Sequence, residues 1–177
     1  MARTFLARAG SLTLAFGSLL APGGLGQAHA TAADGPRCAL HKDDVIEPGL
    51  TLKQADIAYR TPATASITCV GEADGHRITK PGTFTETGQG KAANCLGGAG
   101  NGTFTIVVPT DAGPQTITRS YTFDYTALPE RGGLLGGKLS GDGFTGTIDM
   151  FPVQGDCATR PMTRIHTVDN IEFHRPV

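Results

Sequence analysis

The sequence predicts an all-β protein, a single-domain antiparallel barrel of seven or eight strands, with a β-sandwich as the alternative. Three observations predict this class: apolar side chains alternate with a period of two, turn signals recur every ten residues or so, and glycine is abundant at 25 residues while tryptophan is absent. Alternation is typical of half-buried strands because successive side chains leave a strand on opposite sides.

Residues 1–30 have the pattern of a secretory signal peptide. Arg3 and Arg8 precede a short apolar run at residues 11–20, and Ala28 and Ala30 fit the small-x-small cleavage rule. The run is shorter than the roughly 20 residues of a bilayer-spanning helix. We therefore expect cleavage near Ala30, a secreted or extracellular location, and no stable membrane insertion.

Residues 31–49 are predicted to be a loosely structured N-terminal segment, and residues 50–177 an all-β domain. The run from His41 to Asp44 is charged, and Pro48 with Gly49 is typical of a turn. A histidine beside two carboxylates would suit a metal or an acid–base cluster, but a solvated loop is the favoured interpretation.

Residues 50–102 hold shorter strand candidates. Residues 50–59 form one, Ala65, Ile67 and Cys69 share a face in the next, and residues 83–87 alternate in a third. The glycine-dense residues 95–102 are followed by a strand, whereas a phosphate-binding loop leads into a helix. A bulge or a hairpin connection is therefore expected there.

The clearest prediction is a β-hairpin over residues 103–125. Its first arm places Phe104, Ile106 and Val108 on one face, and residues 109–114 supply the turn. The second arm places four large side chains on one face, and these are Ile117, Tyr121, Phe123 and Tyr125.

Two further elements complete the chain. Asp142 and Gly143 between two alternating runs predict a second hairpin. Residues 163–173 form the closing strand, in which four side chains share a face, namely Ile165, Thr167, Ile171 and Phe173.

The chain contains four cysteines, an even number that predicts two disulfides in an exported protein, and these are Cys38, Cys69, Cys95 and Cys157. We favour a local Cys69–Cys95 bridge and a Cys38–Cys157 bridge, while the other connectivities stay open. Zinc is the alternative, but no two cysteines have the close spacing that a zinc site requires.

The charge of the chain argues against a nucleic-acid partner. The net charge is −1, and loss of Arg3 and Arg8 with the signal peptide makes the exported part more acidic. A nucleic-acid-binding domain carries a basic patch or stripe, and no such cluster is present in the sequence.

The sequence contains no catalytic constellation that we can assign. Ser66, Ser120 and Ser140 lack the Gly-x-Ser-x-Gly context of a nucleophile. Carboxylates from different strands can still meet in space. Of the acidic residues, only Asp149 and Asp169 have apolar neighbours that would raise a carboxyl pKa.

No metal site and no cofactor are predicted. His166 and His174 lie on one face of the closing strand but roughly 26 Å apart at about 3.3 Å per residue, too far to share a metal. Glu172 beside His174 would supply two ligands, and a polar outer face is the ordinary interpretation.

Arg119, Tyr121 and Tyr125 are the candidate ligand-binding residues. They share a predicted face, and if that face lines a barrel interior, an arginine beside aromatic rings would bind an anionic or planar ligand. If Arg119 lies near the strand end, its charged head reaches solvent over an apolar stem instead.

Several segments, most of them containing a cysteine, resemble those of small secreted two-disulfide β-rich proteins of uncharacterised function from high-GC Gram-positive bacteria. The segments are Thr68–Cys69, residues 94–103, residues 155–157, and residues 161–163. The resemblance covers residues 69–173 and implies an exported β scaffold, with no catalytic or ligand residue.

The favoured function is a non-catalytic extracellular or envelope-associated binding module with a small-molecule or extracellular partner. The alternatives are a secreted hydrolase and a protease-inhibitor-like protein that presents a loop at residues 129–131. A binding module predicts an apolar cavity without converging titratable groups. A hydrolase predicts a cleft with two carboxylates, and an inhibitor predicts a protruding loop without a cavity.

Overall fold

The computed structural model describes residues 35–128 and 134–174, which form eleven strands. The predicted antiparallel all-β fold is confirmed, and no helix in the described ranges has the length and apolarity to cross a membrane. The strands are β1 (Arg37–Leu50), β2 (Ala55–Arg60), β3 (Ala65–Val70), β4 (Glu72–Ala73), β5 (His76–Arg77), β6 (Gly82–Asn94), β7 (Gly97–Thr110), β8 (Gly113–Leu128), β9 (Leu134–Gly141), β10 (Phe144–Gln154) and β11 (Met162–Phe173).

Backbone hydrogen bonds connect the strands into a ring. From β1 the order runs through β11, β10, β9, β8, β7 and β6 to β2, which pairs with β1 again. β2 and β3 together fill one position between β1 and β6, because β3 pairs with residues 37–40 and β2 with residues 45–47 of β1. The ring therefore has eight strand positions, and β4 with β5 forms a separate small hairpin.

Inward-pointing side chains form two apolar clusters inside the ring. The first is built around Phe84, Phe104 and Phe173, and the second around Leu50 and Met162. On β1, β6 and β11, buried polar side chains separate the residues of one cluster from those of the other. We call these side chains the polar layer, and they are Lys42, Asp44, Glu86, Thr167 and Asp169.

The prediction of a loosely structured segment at residues 31–49 is wrong for residues 37–49, which belong to the 14-residue strand β1. The buried positions of β1 alternate, but two of them are the charged residues Lys42 and Asp44. An apolar alternation therefore stops after Leu40 and resumes at Ile46. The charges at 42 and 44 are buried because they pair with each other inside the ring.

The two predicted hairpins are confirmed as β7–β8 and β9–β10, and the first has the inward faces expected. The first turn is tighter than predicted, because Pro109 pairs with Pro114 and only Asp111 and Ala112 lie outside the strands. The hairpin connection expected within residues 95–102 is confined to residues 95–96, which form the turn between β6 and β7, and residues 97–102 are paired strand.

The favoured disulfide pairing is wrong, although all four cysteines are in disulfides. The bonds are Cys38–Cys69 and Cys95–Cys157. Cys38 and Cys69 are direct cross-strand partners on β1 and β3, a neighbour relation that was missed because β1 was not recognised as a strand. In the loop-entropy account, each bridge restricts the unfolded chain by about 4 kcal/mol.

Two predictions fall outside the described residues. These are the signal peptide at residues 1–30 and the loop at residues 129–131.

Candidate functional site

The polar layer is assembled around the ammonium group of Lys42. Its Nζ contacts Asp44 and Glu86 directly and lies 3.5 Å from Asp169 Oδ2. The Phe84 ring covers the same ammonium, with its centroid 5.8 Å from Nζ. Lys42 is completely shielded from solvent, so its charge is compensated by these carboxylates rather than by water.

Almost every carboxylate oxygen of the layer has a hydrogen-bond donor. Asp44 Oδ1 accepts from Thr61 at 2.8 Å, and its Oδ2 accepts from Lys42. Glu86 Oε1 accepts from Lys42, and its Oε2 accepts from Tyr121 at 2.8 Å. The exception is Asp169 Oδ1, which is buried and has no hydrogen-bond partner. A buried, unpaired carboxylate oxygen is costly, so this atom requires an explanation.

Burial and charge shift the pKa values of the layer. Burial would lower the pKa of Lys42, but the negative charges of Glu86, Asp169 and Asp44 raise it well above its ordinary value. Burial raises the pKa of Glu86 to about 7 although Lys42 opposes the shift. Burial raises the pKa of Asp169 in the same way, as its apolar sequence neighbours suggested.

Two tyrosine hydroxyls extend the layer. Tyr59 Oη lies 2.7 Å from Tyr121 Oη. Because the single Tyr121 hydrogen is donated to Glu86, the hydrogen between the two tyrosines belongs to Tyr59. Burial, followed by the charge of Glu86, raises the pKa of Tyr121 far above its ordinary value, so this hydroxyl stays protonated.

The aromatic side chains of β8 face glycines across the sheet. Tyr121, Phe123 and Tyr125 pair with Gly102, Gly100 and Gly98 of β7. A Cβ on Gly100 would lie 2.1 Å from the Gln89 carbonyl oxygen and 2.6 Å from Phe123. The three glycines, which we call the glycine row, therefore leave room for rings that no larger residue would allow.

An interior cavity of about 40 Å³ lies beside the polar layer. A water needs roughly 10–15 Å³ measured in this way, so the space suits about three waters or a ligand of a few heavy atoms. Carboxylates border one part of it and apolar or aromatic side chains the rest. The lining residues are Asp44, Glu86, Asp169, Ile46, Leu50, Ile57, Tyr59, Tyr121, Phe123, Tyr125, Leu139, Ile148, Met150 and Ile165.

The structure brings together two of the three predicted ligand-binding residues. Tyr121 and Tyr125 line the cavity, whereas Arg119 does not. β9 pairs with β8 only from Tyr121 onward, so Arg119 lies beyond the β9 hairpin. Its Nη1 donates to the Thr118 carbonyl at 2.9 Å. Arg119 therefore lies outside the cavity, near the middle of β8 rather than at the strand end.

The other polar candidates lie on the outer surface. Asp43 accepts from Arg164 at 3.3 Å and contacts His166 at 2.9 Å, so the run from His41 to Asp44 is divided between the two faces of β1. His174 contacts Thr145 at 2.8 Å, and Glu172 pairs with Arg37. Among the described residues, no three His, Cys, Asp or Glu side chains are arranged to hold a metal ion.

A second, open concavity of about 770 Å³ lies on the outer face of β6–β9. Its side chains carry hydroxyl and amide groups and no charge, and the lining residues are Thr87, Gly88, Gln89, Asn101, Gly102, Thr103, Ser120, Tyr121, Thr122, Ser140 and Gly141. Hydroxyl and amide groups are ordinary on a solvent-exposed sheet face, so we assign no ligand to this concavity.

Four polar residues of the polar layer or the cavity wall were missed from sequence: Lys42, Asp44, Tyr59 and Glu86. The positions of Lys42 and Asp44 in the sequence could have revealed them, because 42 and 44 continue the even-numbered buried series of Leu40 and Ile46. Charge concealed that signal, because charged residues are almost never fully buried unless they are paired.

A comparison with protein-family models, with curated proteins and with solved structures finds no match for this chain. The functional argument therefore rests on the polar layer and the cavity.

Proposed function

We propose that this protein is an exported, non-catalytic binding module that takes a small ligand in its interior cavity. The observation that carries the proposal is a cavity inside the ring, bordered by Tyr59, Tyr121, Phe123 and Tyr125. The expectation that a binding module would lack converging titratable groups is wrong for this cavity, because three carboxyl groups also line it. Interior cavities with a few converging polar groups and perturbed pKa values are the default binding sites of proteins.

The two disulfides support export, because such bonds persist in oxidising compartments. They cross-link β1 to β3, and the end of β6 to the segment after β10. A location outside the cytoplasm is therefore part of the proposal.

A hydrolase is the second candidate, and Glu86 is the observation in its favour. A carboxyl with a pKa of about 7 is suited to general acid–base work. Against this, Lys42 contacts all three carboxylates. The cavity is also far smaller than the roughly 300 Å³ of pockets for drug-sized substrates. A binding role is compatible with carboxyl groups that remain in contact with Lys42.

Native mass spectrometry of the oxidised full-length chain tests the proposal. Ile148 lines the cavity, and we expect Ile148→Phe to fill it and to remove any co-purifying small molecule. Ile78→Phe is the matched control, since Ile78 is also half-buried but packs on the first apolar cluster away from the cavity. Ligand retention that is equal in both variants would contradict the proposal.

A further inference from the structure

Negative charge exceeds positive charge inside the ring. Among the described residues, the buried charged side chains are Lys42, Asp44, Glu86 and Asp169. One ammonium thus faces three carboxyl groups, and with all four ionised the layer would carry a charge of −2. Such an excess is relieved by protons or by a further cation, since buried charge without compensation is strongly unfavourable.

One atom marks where a further cation would bind. Asp169 lines the cavity and is only 2 % exposed. Its Oδ2 faces Lys42 at 3.5 Å, whereas its Oδ1 has no partner. The other two carboxyl groups already accept from Lys42, Thr61 and Tyr121. The open acceptor in the layer is therefore Asp169 Oδ1.

The rest of the cavity wall suits an alkylated cation better than a bare metal ion. The rings of Tyr59 and Phe123 meet edge to face with centroids 5.5 Å apart, and Phe123 stacks on Tyr125 at 6.1 Å. Aromatic faces attract cations, and the aliphatic lining gives methyl groups an apolar environment. A metal ion would need several oxygen ligands, and those near Asp169 are engaged by Lys42.

We propose that the cavity binds a small organic ammonium ion, whose N–H group donates to Asp169 Oδ1 while its alkyl groups contact the aromatic wall. This proposal rests on the proposed function and names the ligand class for the same site. It also replaces the anionic ligand expected from Arg119 by a cationic one, because the charged groups that border the cavity are carboxylates.

Binding of such a cation must compete with protons. The groups that face Asp169 and Glu86 are Lys42 and Asp44 from β1, Tyr59 from β2 and Tyr121 from β8, and the charge of Asp149 on β10 also acts on Asp169. Glu86 borders the same cavity and its pKa is about 7, so a cation that displaces the Glu86 proton binds about tenfold more tightly at pH 8 than at pH 6.

The test is isothermal titration calorimetry of the oxidised full-length protein with trimethylammonium chloride. Sodium chloride at equal ionic strength, neutral tert-butanol and sodium acetate serve as comparisons. We expect one trimethylammonium to bind per chain, with proton release. tert-Butanol should bind about tenfold more weakly or worse, because its hydroxyl can still donate to Asp169 Oδ1 but carries no positive charge to compensate the carboxylate.

Two variants locate the site. Asp169→Asn should weaken trimethylammonium binding about tenfold or more and remove its advantage over tert-butanol. Asp43→Asn makes the same chemical change on the outer face of β1, where Asp43 contacts His166, and should leave binding unchanged. If Asp169→Asn fails to fold, the pH series on the unmodified protein decides, since an affinity equal at pH 6 and pH 8 contradicts the proposal.

Equal binding of trimethylammonium and tert-butanol, or no effect of Asp169→Asn, would overturn the ammonium inference and leave the cavity-binding function standing. The same holds if only another co-purifying ligand occupies the cavity and is lost in Ile148→Phe. If no molecule of any class binds, and the cavity holds water alone, both the inference and the proposed function fail.

Discussion

Lys42 holds three carboxyl groups inside an otherwise apolar ring, and each of them depends on its charge. Removing the cation leaves buried acids without compensation, which typically costs about 3–5 kcal/mol. Replacing the whole layer by apolar residues would not carry that cost. Lys42 therefore offsets the free-energy cost of burying the three carboxyl groups. The stability that Lys42 contributes should depend on whether those groups are ionised.

We expect Lys42→Met to lower the free energy of unfolding by about 3–5 kcal/mol at pH 7.5 and by less at pH 5, where the acids take up protons. Urea unfolding at both pH values measures this. Lys91→Met removes an exposed lysine and should change stability by about 0.5 kcal/mol or less. Equal losses in the two variants would show that Lys42 does not compensate the buried acids.

Glu86 gives the protein a stability that falls as the pH rises. Its folded-state pKa of about 7 lies above the ordinary 4.5, so between these values the native state keeps a proton that the unfolded chain releases. The stabilising contribution is complete below pH 4.5 and is lost as the pH rises through 7, by an amount on the order of 3 kcal/mol. The raised pKa of Asp169 acts in the same direction.

The check is chemical denaturation between pH 5 and pH 8. We predict that the native chain is most stable at the acidic end and that Glu86→Gln flattens the profile. Glu72→Gln, at an exposed position, should leave the slope unchanged. A stability that increases from pH 5 to pH 8 would contradict the assigned environment of Glu86. Asp156, whose pKa is lowered by hydrogen bonds from Thr159 and neighbouring backbone groups, contributes its opposite dependence only at more acidic pH.

At the scale of elements, the glycine row explains a segment that looked like a loop. Gly98, Gly100 and Gly102 alternate with larger residues on β7 and place no side chain on the inward face. The rings of Tyr121, Phe123 and Tyr125 occupy that space. The pairing of β7 with β8 therefore depends on small residues of β7 lying opposite large residues of β8.

Gly100→Ala should destabilise the fold by about 2 kcal/mol, because the added Cβ meets a backbone oxygen of β6 at 2.1 Å and cannot be accommodated by a rotamer change. Thermal or urea unfolding measures the loss. Asn101→Ala alters the exposed face of the same strand and should change stability by about 0.5 kcal/mol or less. A neutral Gly100→Ala would mean that β7 does not pair with β6 and β8 in this register.

The predictability of an element follows from the kind of side chain on its buried face. β8 and β11 could be predicted because their inward positions are mainly aromatic or β-branched, as in Tyr121 and Ile171. β1 could not, because its inward positions 42 and 44 are charged and their partners, Glu86 and Asp169, lie on strands remote in sequence. Pairing between distant charges leaves no local periodic signal.

At the scale of the whole molecule, the placement of β1 determines most of the rest. β1 pairs with β11 on one side and with β2 and β3 on the other, which closes the ring and brings Cys38 opposite Cys69. Without β1 as a strand, the sequence still indicates an all-β fold of seven or eight strands. It does not indicate the Cys38–Cys69 bridge, the polar layer or the cavity, since these all require contacts that β1 makes.

The interior cavity is thus a product of the closed ring and of the charge that β1 carries into it. The two apolar clusters on either side provide the burial, and the polar layer provides the chemistry. The central claim is that Lys42 and the three carboxyl groups share this shielded interior, with acids in excess.

A pH titration of the side-chain carboxyl ¹³C resonances by NMR tests that claim most directly. We predict that Glu86 titrates near pH 7, that Asp169 titrates above the ordinary aspartate range, and that Lys42→Met raises both midpoints further, because the loss of the ammonium removes the group that favours ionisation. Ordinary midpoints near pH 4 for both residues, unmoved by Lys42→Met, would show that the carboxyl groups face solvent and would contradict the account.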